Sequence, residues 1–131
     1  MRSLVIYESM YGNTHAIADG IADGLRAHGE VSVVPASQAT DELVAAADLV
    51  VVGGPTHVHG MTRARSRSGA REEAAKPGSV LTLDKDADGP GVRDWLDGLA
   101  HGADHAAAAF DTRVNGPSLL TGRASSGIGN G

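Results

Sequence analysis

Apolar and polar positions follow one another along the chain in a pattern that predicts alternating strands and helices. Apolar runs rich in β-branched residues predict strands over residues 3–7, 31–34 and 48–53, and an alanine-rich apolar run predicts a fourth strand over residues 105–110. Apolar residues at helical spacing predict helices over residues 13–27 and 41–47, and Pro90 opens a further helix. The third strand is dominated by Leu and Val, which is typical of a strand buried on both faces of a parallel sheet. This order indicates right-handed βαβ units and an α/β fold.

Two apolar stripes predict which helix faces pack against the sheet. In the first helix, the stripe consists of Ala16, Ile17, Ile21 and Leu25. In the helix after Pro90, it consists of Val92, Trp95, Leu96 and Leu99. Because Trp95 lies on this stripe, we expect its ring in the core rather than against a ligand. Thr40 is expected to cap the second helix.

The apolar pattern weakens between residues 62 and 88. This stretch contains Arg63, Arg65, Arg67 and Arg71 among Ser, Ala and Gly residues. It predicts a polar helix followed by a loop at residues 77–78 and a brief extended piece over residues 79–83. We interpret the arginines as a solvated helix face, and a patch for docking a partner is the alternative.

Composition narrows the classes of protein to consider. The chain has 131 residues, which suits a single domain, and its few aromatic residues require a core of Val, Leu, Ile and Ala. There is no cysteine, which excludes disulfides and thiolate chemistry. A net charge of −5 argues against nonspecific nucleic-acid binding. No apolar run approaches the roughly 20 residues that span a bilayer, and residue 1 leads directly into a strand pattern, so we expect a cytoplasmic protein.

Residues 8–14 form a polar loop between the first strand and the first helix. The N–H groups and the dipole of the helix N-terminus favour an anion, and Ser9, Asn13 and Thr14 add hydrogen-bond donors. Gly12 permits close approach of the backbone. The loop has no lysine and neither the G-x-x-x-x-G-K-[ST] nor the G-x-G-x-x-G pattern. The loop therefore suits a monoester phosphate better than a nucleoside triphosphate or a dinucleotide.

Two more loops follow predicted strands, over residues 54–61 and 111–117. Because ligands of open parallel sheets bind outside the carboxyl ends of the strands, we expect all three loops to meet at one edge. The loop around Ser9 and Thr14 resembles the FMN-phosphate loop of flavodoxins, [ST]-x-x-G-N-T. Residues 48–56 resemble the family's third strand and the loop beside the flavin ring, and residues 109–113 hold the place of the other flanking loop.

This resemblance covers roughly residues 3–120. It implies a flavodoxin-like, doubly wound parallel sheet in a single domain over residues 1–131. The implied strand order is 2-1-3-4, with the fifth strand and last helix missing from this chain, which would then be incomplete at its C-terminus. It also implies FMN as cofactor and electron transfer through the bound flavin.

The resemblance also implies which residues hold the cofactor. The phosphate would be contacted by Ser9, Met10, Tyr11, Gly12, Asn13 and Thr14, through the backbone at Met10 and Tyr11. One side of the flavin ring would be covered by Pro55, Thr56, His57 and Val58. The other side or the polar edge would be approached by Asp111, Thr112 and Arg113. Neither ring loop contains Trp, Tyr or Phe, so His57 or His59 would stack on the ring, or the ring would be more exposed.

Simpler interpretations remain beside these. Residues 9–14 can act as a helix cap alone, and Asp111 can pair with Arg113. His57 and His59 have a spacing that can bind zinc but lack a third ligand. An NAD(P)H-dependent FMN quinone reductase, a flavin-free interaction domain and an inactive fragment are the competing functions. We expect a redox protein or a small-molecule electron acceptor as partner, and a homodimer through the open edge of the fourth strand.

Overall fold

A computed structural model describes residues 1–57, 60–61, 64–79, 83–84, 87, 90–99, 105–113 and 128 of the chain. Its strands are β1 (Arg2–Tyr7), β2 (Glu30–Pro35), β3 (Leu49–His57), β4 (Gly60–Met61) and β5 (Ala106–Thr112). Its α-helices are α1 (Asn13–Leu25), α2 (Asp41–Ala45), α3 (Ala64–Ala75) and α4 (Val92–Gly98). Short 3-10 turns follow α1 and β2 over Arg26–His28 and Ala36–Gln38. None of the helices in the described ranges is long and apolar enough to cross a membrane.

Four of the strands form a parallel sheet in the order β2-β1-β3-β5. Since β5 is the fourth parallel strand along the chain, the predicted order 2-1-3-4 is confirmed. β1 and β3 lie at the centre, with Val5 opposite Val33 on one side and Val51 on the other. The short strand β4 pairs antiparallel with the end of β3, a hairpin that the sequence did not predict.

The core has two layers because side chains of the central strands alternate between the two faces of the sheet. On one face, Val5, Tyr7 and Val51 are buried together with Ala18 and Ala22 of α1. On the other face, the buried side chains come from β1, β3, α2, α4 and the C-terminal segment, and they include Leu4, Ile6, Val50, Val52, Val44, Val92 and Ile128. Both faces of the central strands are therefore covered, as the Leu- and Val-rich third strand predicted.

The first helix packs through a different stripe from the one predicted. Its buried residues are Thr14, Ala18 and Ala22, whereas Ile17 is 49% exposed. Small side chains on the buried stripe let the helix backbone approach the sheet closely, which turns Ile17 outward. The prediction that Ile17 faces the core is therefore wrong.

The predictions for the other helices agree better with the structure. The Thr40 hydroxyl accepts a hydrogen bond from the Leu43 N–H at 3.3 Å and caps α2 as expected. In α4, Val92 is fully buried and Trp95 packs against the same core. The Trp95 indole N–H donates to the Ala39 carbonyl at 3.1 Å, so this ring is a core residue with a satisfied polar atom.

β3 is longer than the sequence predicted. It continues past Gly53 because β5 pairs alongside it as far as Pro55, opposite Thr112, and β4 pairs with its last residues. The stretch starting at Gly54 was predicted to be a loop and is instead extended strand as far as His57. In the same way, Asp111 and Thr112 belong to β5 rather than to a loop.

Gly53 gives the first testable prediction. It lies opposite Phe110 in the sheet, and a Cβ built there would lie 2.1 Å from the Phe110 Cζ. Gly53→Ala should therefore lower the free energy of unfolding by about 1–3 kcal/mol, because the aromatic ring occupies that space. Urea unfolding followed by circular dichroism measures the loss.

Gly20→Ala is the matched control, since a Cβ at this helical position meets nothing within 4 Å. We expect it to leave stability unchanged or raise it by up to about 1 kcal/mol. In a Phe110→Leu background, the loss caused by Gly53→Ala should shrink. Equal losses in both backgrounds would contradict the contact with the ring.

Candidate functional site

Three segments of the chain meet around one open cavity at the carboxyl ends of β1, β3 and β5. The cavity has a volume of about 600 Å³. Its lining comes from the β1–α1 loop (residues 8–12), the first turns of α1, the end of β3 and the end of β5. The lining residues are Ser9, Met10, Tyr11, Asn13, Thr14, Ala16, Ile17, Pro55, Thr56, Thr112 and Arg113. The predicted meeting of three segments at one edge of the sheet is thus what the fold produces.

The β1–α1 loop is shaped by a bond between its own ends. The Ser9 side chain is 2% exposed, and its Oγ accepts a hydrogen bond from the Gly12 N–H at 3.0 Å. Gly12 has a φ of +92°, a left-handed conformation that disfavours any residue with a Cβ. α1 begins at the next residue, so the loop delivers the helix N-terminus to the wall of the cavity.

Thr14 connects this loop to the end of β5. Its side chain is buried, and its Oγ1 lies 2.7 Å from the Oγ1 of Thr112. One hydroxyl donates to the other, which leaves the proton of the accepting hydroxyl available for a further partner. The resemblance implies that Thr112 lies beside the flavin ring or its polar edge. In the structure, its hydroxyl bonds to Thr14, one of the residues predicted to contact the phosphate.

The charge on the described residues that line the cavity is positive. Arg113 is exposed and is the one charged residue among the described lining residues. The other polar lining side chains are neutral, and the N-terminus of α1 adds partial positive charge. A cavity with hydroxyl donors, a helix N-terminus and a guanidinium is suited to a ligand that carries an anionic group.

The structure brings together most of the predicted site residues, and their roles stay predictions. Gly12 shapes the loop without lining the cavity. Asp111 is half-buried within β5, opposite Gly54 in β3, and does not line the cavity either. His57 ends β3, and Val58 lies outside the described residues.

Sequence reasoning missed two lining residues, Ala16 and Ile17. Both were assigned to the core stripe of α1. Their position in the sequence could have indicated this role, because Ala16 and Ile17 lie in the first turns of the helix whose N-terminus lines the cavity. An isoleucine exposed to 49% on this wall gives the cavity an apolar surface beside its hydroxyl groups.

A buried ion network lies directly behind the loop. Glu8 is 6% exposed, and its Oε2 accepts a hydrogen bond from the Val92 N–H at 2.9 Å. The Arg67 Nη1 lies 3.8 Å from the Glu8 Oε1, and its Nη2 donates to the Asp94 Oδ2 at 2.8 Å. The network joins β1, α3 and α4 beneath the cavity edge.

This network changes the interpretation of the arginine-rich helix. Arg65 and Arg71 are exposed, as the solvated-face interpretation predicted. For Arg67, which is only 9% exposed, that interpretation is wrong. A buried carboxylate directly after an apolar strand requires compensation by a cation, and Glu8 was the signal that one arginine had to turn inward.

Comparisons with known proteins agree with the fold. A family model described as a flavodoxin domain matches residues 4–67, which include β1, the β1–α1 loop and β3. No curated protein matches the chain.

Two flavodoxins are among the solved structures that are similar to the chain. A flavodoxin from the domain Archaea is 26% identical, with 56% of this chain and 50% of that chain covered and a TM-score of 0.46. A Streptococcus pneumoniae flavodoxin is 21% identical, with 85% and 61% covered and a TM-score of 0.50, and this likeness supports the fold. The chain thus spans between half and about three-fifths of the length of these flavodoxins.

The buried network yields a stability prediction. Arg67→Ala removes the cation beside a buried carboxylate and should lower the free energy of unfolding by about 3–5 kcal/mol. The double variant Glu8→Gln with Arg67→Met should lose much less, because a glutamine oxygen can still accept the Val92 N–H and no buried charge remains. Urea unfolding of all variants measures both values.

Arg65→Ala serves as the control, since this side chain is exposed on the same helix. Its effect should stay within about 0.5 kcal/mol. Equal losses for Arg65→Ala and Arg67→Ala would show that the buried ion pair does not stabilise the fold.

Proposed function

We propose that the chain is a member of the flavodoxin-like family, as the family-model match over residues 4–67 supports, and that it binds FMN in the cavity and transfers electrons through the bound flavin. The observation that carries the proposal is the placement of the β1–α1 loop. Its buried hydroxyls at Ser9 and Thr14 and the N-terminus of α1 face the same cavity as the ends of β3 and β5. A phosphate monoester beside a flat ring system matches that combination of donors and walls.

The size and charge of the cavity fit this group. Its volume of about 600 Å³ lies within the roughly 300–1,000 Å³ typical of cofactor pockets. The described lining residues include a guanidinium and no carboxylate, so the lining itself carries no fixed negative charge. The Pro55 ring and the Ile17 side chain offer apolar surface for the ring.

Each wall would have its own part in binding. Ser9 and Thr14 would hold the phosphate together with backbone N–H groups at the start of α1. Pro55 and Thr56 would cover one side of the ring, and Arg113 would approach the other side or the polar edge. Thr112 would support Thr14 through the hydroxyl pair. FMN bound there would supply reversible electron transfer, while the protein orients it and limits its access to water.

The proposal also covers the redox partner, the cellular location and the oligomeric state. We propose a redox protein or a small-molecule electron acceptor as partner and a cytoplasmic location, in keeping with a cysteine-free chain. The homodimer stays a prediction. It is supported by the position of β5 at the edge of the described parallel sheet and by the exposure of Ala106, Ala107 and Ala108.

FMN binding can be tested directly. The purified chain should show flavin absorbance that denaturation releases, or should take up added FMN with quenching of flavin fluorescence. Combining Ser9→Ala with Thr14→Ala should weaken FMN binding at least about tenfold, because each hydroxyl donates to a charged phosphate. Fluorescence titration gives the dissociation constants.

Ser32→Ala combined with Ser37→Ala removes two exposed hydroxyls outside the cavity and should leave FMN affinity unchanged. A colourless chain that takes up no FMN would support the flavin-free interaction domain or the inactive fragment. Unchanged affinity in the Ser9 and Thr14 variant would contradict the phosphate assignment.

An NAD(P)H-dependent quinone reductase is the second candidate. It is favoured by the wall at the end of β3, where the described lining residues, Pro55 and Thr56, are not aromatic. A reductase should bleach its flavin within seconds of anaerobic NAD(P)H addition and recover colour with a quinone. A flavin that NAD(P)H does not bleach, but that a reduced protein donor does, identifies an electron carrier.

A further inference from the structure

A second group of contacts holds the β1–α1 loop through residues that do not line the cavity. The Asp84 N–H donates to the Met10 carbonyl at 2.6 Å. Met10 lines the cavity, whereas Asp84 does not. The loop is therefore in contact both with the cavity and with a residue outside its lining.

The Asp84 carboxylate makes the next link in this group. Its side chain is 6% exposed, and its Oδ2 accepts a hydrogen bond from the His15 Nδ1 at 2.9 Å. The His15 ring stacks on the buried Tyr7 ring, with centroids 4.2 Å apart and planes at 19°. The His15 Nε2 lies 3.7 Å from Asp19, one turn along the same helix. His15 is thereby held in place by β1 and α1, and it holds Asp84 in turn.

Apolar contacts complete the arrangement. Met10 and Ala87 are 3% and 4% exposed and pack together, with Leu83 and Tyr11 against them. The loop is thus contacted by Leu83, Asp84 and Ala87 through a backbone hydrogen bond and a small apolar cluster, and a partly buried side-chain bond joins Asp84 to the first turn of α1.

These contacts determine which way the loop backbone faces. The peptide unit between Met10 and Tyr11 is planar and trans, so its carbonyl and its N–H point in opposite directions. Because the carbonyl points toward Asp84, the N–H at Tyr11 points away from Asp84. An anion at this loop requires N–H groups facing inward and carbonyls facing away. The Asp84 contact holds the Met10 carbonyl and so fixes the direction of both groups of this peptide unit.

We propose that Asp84 and His15 are positioning residues that hold the β1–α1 loop in the shape that receives a phosphate monoester. This inference rests on the proposed function, since the phosphate it concerns is that of FMN. The pair acts through the loop and does not touch the ligand. Removing either partner should therefore weaken phosphate recognition while leaving the binding of the flavin ring unchanged.

An electrostatic role would have the opposite sign. The Asp84 Oδ2 lies 3.9 Å from the position that a Cβ on Gly12 would occupy, so its negative charge is close to the loop. A carboxylate at this place repels a phosphate, and its removal would strengthen FMN binding if charge were its main effect. The direction of the change separates the two roles.

The test compares FMN with riboflavin, which has the same ring and no phosphate. In the full chain, FMN should bind more tightly than riboflavin. In Asp84→Ala and in His15→Ala, the ratio of FMN affinity to riboflavin affinity should fall about tenfold, because a partly buried charge-assisted hydrogen bond is lost. The double variant should fall no further than the single variants, since both remove the same bond. Fluorescence titration measures the constants, and circular dichroism confirms folding.

Asp84→Asn keeps the side-chain acceptor for His15 and should retain the ratio to within about twofold. Asp48→Ala is the matched control: it removes a carboxylate that accepts the Arg2 N–H at 2.7 Å, outside the cavity, and should not change the ratio. A ratio unchanged in Asp84→Ala and His15→Ala, or raised in Asp84→Ala and Asp84→Asn, overturns this inference and leaves the proposed function standing. A native chain that binds FMN no better than riboflavin overturns both.

Discussion

Burial of β1 and β3 on both faces is the constraint on which the rest of the structure depends. Leu4 and Ile6 point to one layer of the core and Val5 and Tyr7 to the other, and all four side chains are at most 2% exposed. Strands with two apolar faces are stable only when helices cover both of them, so α1 packs on one side and α2 and α4 on the other. Parallel pairing then sends the carboxyl ends of β1, β3 and β5 to the same edge. The cavity is a consequence of that arrangement.

A buried polar group just beyond β1 determines which later helices pack at the edge of the sheet beside the cavity. Glu8 follows β1 directly and is itself buried, so its carboxylate requires partners from elsewhere in the chain. Arg67 of α3 and the Val92 N–H of α4 supply them. A single residue next to the site thereby ties two later helices to the end of the first strand. The loop that follows starts from a well-anchored position.

The β1–α1 loop is then held from within, from behind and from across the cavity. Ser9 bonds to Gly12 within the loop, Asp84 bonds to Met10 from behind, and Thr14 reaches Thr112 on β5. A loop with bonds on several sides loses little further conformational freedom when a ligand binds, and such preorganisation favours tight and selective binding. This rigidity, together with the helix N-terminus, is what a phosphate-recognition loop requires.

Local patterns in the sequence determined the elements of this protein. The alternation of strands and helices, the Thr40 cap, the core position of Trp95 and the polar loop at residues 8–14 depend on neighbours along the chain. The order 2-1-3-4 was implied by the resemblance to flavodoxins. The predicted site residues around Ser9, Thr14 and Pro55 come together because parallel strands bring their carboxyl ends to one edge of the sheet.

What the sequence left undetermined were contacts between residues far apart along it. The rotation of α1 that exposes Ile17 depends on how closely small residues approach the sheet. The burial of Arg67 depends on Glu8, and the extension of β3 depends on the length of β5 beside it. The contact of Asp84 with the loop joins segments more than 60 residues apart, as the separation of 69 between His15 and Asp84 illustrates. Such contacts depend on how the elements pack in three dimensions. The local pattern of one element does not specify which distant element packs against it, so only the tertiary structure decided these contacts.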